Sequence, residues 1–190
     1  MQKSLRTWKK ISGKLVYQNP WIKLHEDQVL RPDGKKGIYG YLEKPTSVFI
    51  IPYSNINKSI YLLKQKRYPV NKTIYEIPAG VVSSINHLSE AKRELFEETG
   101  FRAAKWQYLG HFFVAPGHET TSIKVYLASG LSNDGKKTNI QEGDEAIQKV
   151  VEVKIDKLPK WILAGKIECG ITLASLNLFF QKLSLLDFNP

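Results

Sequence analysis

Between residues 90 and 98 the chain places four carboxylates, Glu90, Glu94, Glu97 and Glu98, and a glycine follows at Gly100. In a helix these four side chains fall within an arc of roughly 100°. Leu88, Ala91 and Leu95 take the neighbouring arc, so the acidic stripe borders buried surface. Such a helix is locally penalised. Glu90/Glu94 and Glu94/Glu98 are like-charged pairs one turn apart, each costing about 0.2–0.5 kcal/mol. Glu97 and Glu98 also stand at the end where the helix dipole disfavours anions. Lys92 and Arg93 offset only part of this. A sequence that accumulates these costs points to a compensating partner, and carboxylate oxygens suit a hard cation, Mg²⁺ or Mn²⁺. The plain alternative is a solvated acidic face. The glycine loop before the segment, the Arg93-Glu94 pair and the glycine after it favour the cation.

Around this segment the period of the sequence changes. Residues 15 to 43 alternate short apolar runs with turn signals at Asn19-Pro20 and Pro32-Asp33-Gly34, which predicts a small antiparallel sheet. Ser47 to Pro52, Ser59 to Lys64 and Thr73 to Ile77 read as strands, the last stopped by Pro78-Ala79-Gly80. A helix starts near Asn86 or Ser89 and closes at Gly100. Strands resume at 108–114, 122–128 and 149–153, and helices follow at 158–164 and 171–185. The order predicts a mixed α/β (α+β) fold, with an N-terminal sheet element over residues 1–45 and a main domain over 46–190.

The 190 residues carry 42% hydrophobic and 24% charged side chains, an ordinary globular balance. The run Cys169 to Gln181 is too short to span a bilayer, and the basic N-terminus has no apolar stretch of the secretory kind. Membrane association is therefore not expected. A single cysteine excludes an internal disulfide framework and fits the cytoplasm. The net charge of +10 is compatible with anionic partners, but its lysines are scattered, so nucleic acid is not the expected one.

The segment Gly80 to Phe101 resembles the Nudix box, a signature of Gly, five residues, Glu, seven residues, Arg-Glu, an apolar residue, any residue, Glu-Glu, any residue, Gly, apolar. Arg93 through Phe101 matches its second half in full. The first half departs from it: Gly80 precedes Arg93 by thirteen residues instead of fourteen, and the early Glu is replaced by Asn86 or Ile85, depending on the end from which one counts. In the family that Glu supports the loop and the arginine. The resemblance implies an α/β/α sandwich with a mixed sheet and metal-binding roles for Glu94, Glu97 and Glu98.

Over nearly its whole length the chain is most similar to the ADP-ribose pyrophosphatase branch. That likeness implies a further metal ligand in the Ala79 carbonyl and a phosphate contact for Arg67. It also implies a homodimer built on the N-terminal element, and a proton acceptor in Glu145, with Glu98 the other candidate. Trp21 and Tyr39 match positions that sandwich adenine, Tyr39 from the partner copy, unless both simply fill the small sheet. Glu76 is a weaker substrate-binding candidate, since a carboxylate at a strand end is commonly solvated. His118, beside the turn at Pro116-Gly117, reads as a surface histidine. The acidic residue that the family carries four positions past this glycine is absent: Thr121 stands there and Glu119 is two places early. The implied reaction is metal-dependent cleavage of ADP-ribose to AMP and ribose 5-phosphate. Two alternatives stay open: another nucleoside diphosphate sugar or a dinucleotide as substrate, or a weakened Nudix fold that binds nucleotide or RNA.

Overall fold

The computed structural model describes residues 7–133 and 147–187, which divide into two compact units. The first comprises Met1–Thr46 with Phe113–Ser122. Its strands β1 (Lys9–Gln18), β2 (Lys23–Leu30) and β3 (Lys36–Glu43) form an antiparallel sheet in that order. The turn signals act as local chemistry requires. The Asn19 side-chain oxygen accepts from the backbone N–H groups of Trp21 (2.9 Å) and Ile22 (2.8 Å), a side-chain-stabilised turn. Gly34 adopts φ +84°, closed to most other residues, and completes the β2–β3 connection beside an Arg31–Asp33 ion pair. Residues 113–122 are strapped to β3: Leu42 N–H donates to the His118 carbonyl and Thr120 N–H to the Leu42 carbonyl, both at 2.9 Å.

The second unit comprises Ser47–Phe112 and Ile123–Pro190. Its seven-stranded sheet runs β10 (Ile147–Lys154), β5 (Ser59–Arg67), β4 (Ser47–Ser54), β9 (Ser122–Asn133), β8 (Phe101–Phe113). β6 (Lys72–Glu76) pairs with β5, and β7 (Ala79–Val81) with β4. β4 lies parallel to β9 and antiparallel to β5 and β7, so the sheet is mixed. Because β4 is covered on both faces, its sequence is a continuous apolar run. Val48 and Ile50 pack with Ala91 and Leu95 of helix α1 (His87–Thr99). Phe49, Ile51 and Tyr53 pack with Leu158 of α2 (Leu158–Leu163) and with Leu176 and Phe179 of α3 (Gly170–Asp187). The expected α/β/α sandwich with a mixed sheet is therefore present. Among the described residues no helix is long and apolar enough to cross a membrane.

The predicted elements appear with differences of extent, β9 for one continuing to Asn133. β1 begins at Lys9 and all ten of its residues are exposed, so no alternation of apolar and polar residues marked its first half. β7 is three residues long and exists through its pairing with β4. β8 starts at Phe101, directly after the helix cap, seven residues ahead of the run at Tyr108.

Candidate functional site: a carboxylate helix behind a glycine loop

Helix α1 owes its limits to its ends. The Asn86 side chain accepts from Ser89 N–H at 3.1 Å. Gly100 takes the left-handed conformation, φ +77°, and its N–H reaches the Phe96 carbonyl at 2.8 Å. With Ala91 and Leu95 packed on the sheet, the adjoining arc turns Glu90, Glu94 and Glu98 into buried positions and leaves Glu97 half-buried.

Three charged side chains buried on one helix require partners. Ala79 N–H donates to Glu98 Oε2 at 2.8 Å, tying the helix to β7. Glu94 lies so close to Gly80 that a Cβ there would overlap its carboxylate. Arg93 bridges three carboxylates: it donates from Nε (3.3 Å) and Nη2 (3.1 Å) to Glu90 Oε2, from Nη2 to Glu94, and from Nη1 to Glu97. Glu90 Oε1 also accepts from Ser83 Oγ at 3.0 Å. The Arg93 guanidinium, then Ser83, hold the Glu90 carboxyl below the ordinary range of a glutamate. Burial works against the charge of Arg93, but the bond to Glu90 and the charges of Glu94 and Glu97 outweigh it and raise its pKa.

Ala79, Glu94 and Glu98 are thus assembled at one place, where the Gly80 cradle admits the Glu94 carboxylate. The carboxylate oxygens there are of the kind that fits a hard divalent cation. Among the described residues no three acidic, histidine or cysteine side chains already converge at metal-ligand spacing. Arg93 occupies Glu94 and Glu97 instead.

Along β5 and β6, Glu76 is buried and not solvated as its strand-end position implied. Its Oε2 accepts from Gln65 Nε2 and from Arg67 Nε, both at 2.7 Å. Arg67 and Glu76 share a cavity of about 480 Å³ with Lys72, Ile74, Glu168 and Cys169. Burial pushes the Cys169 thiol above its ordinary pKa.

In the first unit Trp21 is 66% exposed, so it is not filling the small sheet, and it lines a cavity of about 260 Å³ with Asn19, Lys23 and Glu43. Tyr39 does not line that cavity. Its hydroxyl donates to the Gly117 carbonyl at 2.9 Å and its ring meets Trp8 edge-on. His118 is exposed, and Glu119 pairs with Lys44 at 3.4 Å. Glu145 lies outside the described residues.

Ser83 and Gln65 carried no signal in the sequence. Each is an ordinary polar residue whose contact depends on a carboxylate brought from another turn or strand. Glu90 was visible as part of the acidic stripe, but its pairing with the loop was not.

Comparison with known proteins agrees with this architecture. Residues 8–42 match the nucleoside diphosphate sugar hydrolase N-terminal domain, and residues 43–168 match the NUDIX domain. A methanol dehydrogenase activator of Bacillus methanolicus is 32% identical over 167 residues, 87% of this chain and 85% of its own. An ADP-ribose pyrophosphatase of Bacillus subtilis (strain 168) is 32% identical over 155 residues, 81% of this chain and 82% of its own. The crystal structure of an ADP compounds hydrolase superposes with a TM-score of 0.83 over 96% of this chain and 97% of that one; at 18% identity this is a likeness of fold. The chain belongs to the Nudix family, as a pyrophosphohydrolase of the nucleoside diphosphate sugar hydrolase kind.

Proposed function

We propose that the protein hydrolyses ADP-ribose to AMP and ribose 5-phosphate, acting as a homodimer in the cytoplasm with Mg²⁺ or Mn²⁺. The observation that carries this reading is the gathering of Glu94 and Glu98, both buried, beside the Ala79–Gly80 loop. The likeness to an ADP-ribose pyrophosphatase supports the choice of substrate.

The Ala79 carbonyl, Glu94, Glu97 and Glu98 would hold the cation, which when bound neutralises the diphosphate and acidifies a water. The chain's own residues do the rest. Arg67 presents a planar fork to a non-bridging phosphate oxygen, and Glu76, seated on its Nε edge, fixes the direction of that fork. A water oxygen bonds to one phosphorus in line as the bridging P–O bond breaks, and the released phosphate carries the bridging oxygen away. Glu98 or Glu145 accepts the proton that the water gives up. Ala79 N–H, bonded to Glu98 Oε2, keeps that carboxylate at the loop. In the first unit Trp21 offers an exposed ring on which an adenine can stack. Tyr39 serves the same purpose from the second copy.

The test is a phosphate-release panel on the purified protein with ADP-ribose, UDP-glucose, GDP-mannose and a dinucleoside polyphosphate, each with a chelator control. Metal-dependent turnover concentrated on ADP-ribose is expected, and another winner would replace the substrate while keeping the reaction. Silence across the panel with nucleotide or RNA still bound would overturn hydrolysis in favour of a binding role. Glu98→Gln is expected to fold normally and to lose at least about 100-fold in kcat, the scale of an essential acid–base group. Near-normal turnover would remove Glu98 from the mechanism.

A further inference from the structure

The signature that this chain resembles supports its arginine with a glutamate from the loop, and this loop has none: its candidates are Asn86 and Ile85. Asn86 is committed to capping α1 and Ile85 is almost fully exposed. The structure nevertheless supports Arg93. Glu90, one turn before it on the same helix, is buried with one oxygen on each side of the problem. Oε1 takes the hydroxyl of Ser83 from the shortened loop, and Oε2 takes the Nε and Nη2 groups of Arg93.

This geometry bears on the cation. Arg93 reaches Glu94 through Nη2 and Glu97 through Nη1, two carboxylates that the proposed function assigns to the metal. A guanidinium and a divalent cation compete for the same oxygens. An anion behind the Nε edge keeps Arg93 paired when it gives up those contacts. A loop pinned to that anion keeps Gly80 packed over Glu94.

Resting on the reading of this site as a metal-dependent hydrolase, we propose that Glu90 is its positioning residue. Anchored to the loop through Ser83, it holds Arg93 from behind and so frees Glu94 and Glu97 for the cation. It does from within the helix what the missing glutamate does from the loop. Glu90 acts through the partners its oxygens take, Ser83 and Arg93.

The test compares Glu90→Gln, Ser83→Ala and the double variant with the parent, using calorimetric titration with Mn²⁺ alone and turnover of ADP-ribose separately. Glu90→Gln is expected to weaken Mn²⁺ binding by about 10- to 100-fold, the usual range for a residue that orients metal ligands. Ser83→Ala removes no charge and is expected to weaken it about three- to tenfold, the scale of one hydrogen bond. The double variant should be no worse than Glu90→Gln, because both changes break one chain of contacts. In turnover, kcat should fall while the KM for ADP-ribose stays put.

Unchanged Mn²⁺ affinity in folded Glu90→Gln overturns the proposal. So does a silent Ser83→Ala, which would show that the bond from Ser83 does not anchor Glu90. Should Glu90→Gln fail to fold, Ser83→Ala decides alone. A parent that binds Mn²⁺ but cleaves no diphosphate would sink the proposed function, and the Mn²⁺ comparison would still judge Glu90. A parent that does not bind Mn²⁺ would sink both.

Discussion

At Gly80 the backbone passes so close to helix α1 that no side chain fits, because the Glu94 carboxylate fills the space a Cβ would need. This glycine is required by close approach, not by an unusual φ. Gly80→Ala must therefore swing Glu94 out of place or push the loop outward. A misplacement of about 1 Å commonly costs on the order of 100-fold in rate. Steady-state turnover of Gly80→Ala should show a loss of that size with the chain still folded, and a variant as active as the parent would mean that Glu94 need not stand where it does. The residue scale is also where the sequence was hardest to read. Glu76 stood at a strand end and read as solvated, yet it is buried because β5 carries Gln65 and Arg67 across to it. No count of charges along the chain could reveal that pairing, which is set by the register Leu63↔Glu76 and Gln65↔Ile74.

Helix α1 is the element whose limits and faces were most legible, because its signals are local. The Asn86 cap, the apolar positions Ala91 and Leu95 and the left-handed Gly100 each act within a turn or two. Two substitutions gauge how much those ends contribute. Asn86→Ala removes a capping acceptor and should cost about 1 kcal/mol. Gly100→Ala places a Cβ at φ +77° and should cost about 1–2 kcal/mol. The positions lie at opposite ends of the helix, so the double variant should approach the sum. Urea denaturation measures both, and an unchanged midpoint in either variant would show that its cap contributes nothing. Strands were read unevenly. β4 announced itself as an unbroken apolar run because it is covered on both faces. The first half of β1 did not, since exposed residues carry no apolar alternation from which to infer pairing.

At the scale of the whole molecule, the described residues of the first unit bury little apolar surface. Among its described residues Val29 is the buried hydrophobic side chain, while Trp8, Ile11, Leu15, Val16 and Tyr17 are exposed along or beside the edge strand β1. An apolar edge strand left open invites pairing, and the proposed homodimer would cover it with a second copy. Sedimentation should give twice the chain mass of 21.7 kDa. Leu15→Glu should shift the dimer towards monomer by at least about tenfold, the effect of about 1.4 kcal/mol at an interface. A parent that sediments as a monomer, or a Leu15→Glu dimer as tight as the parent, would remove β1 from the contact. The sequence by itself determined the order of elements and the carboxylate helix with its Nudix signature, through which the resemblance implied the sandwich. Those depend on periodicity, caps and short spacings, which act over a few residues. Tertiary structure alone decided the return of residues 113–122 to the first unit, the burial of Glu76 and the pairing of Glu90 with Ser83 and Arg93. The return and the burial of Glu76 depend on strand register and chain crossing. The Glu90 contacts depend on how closely a loop packs on a helix, a distance that no local pattern encodes.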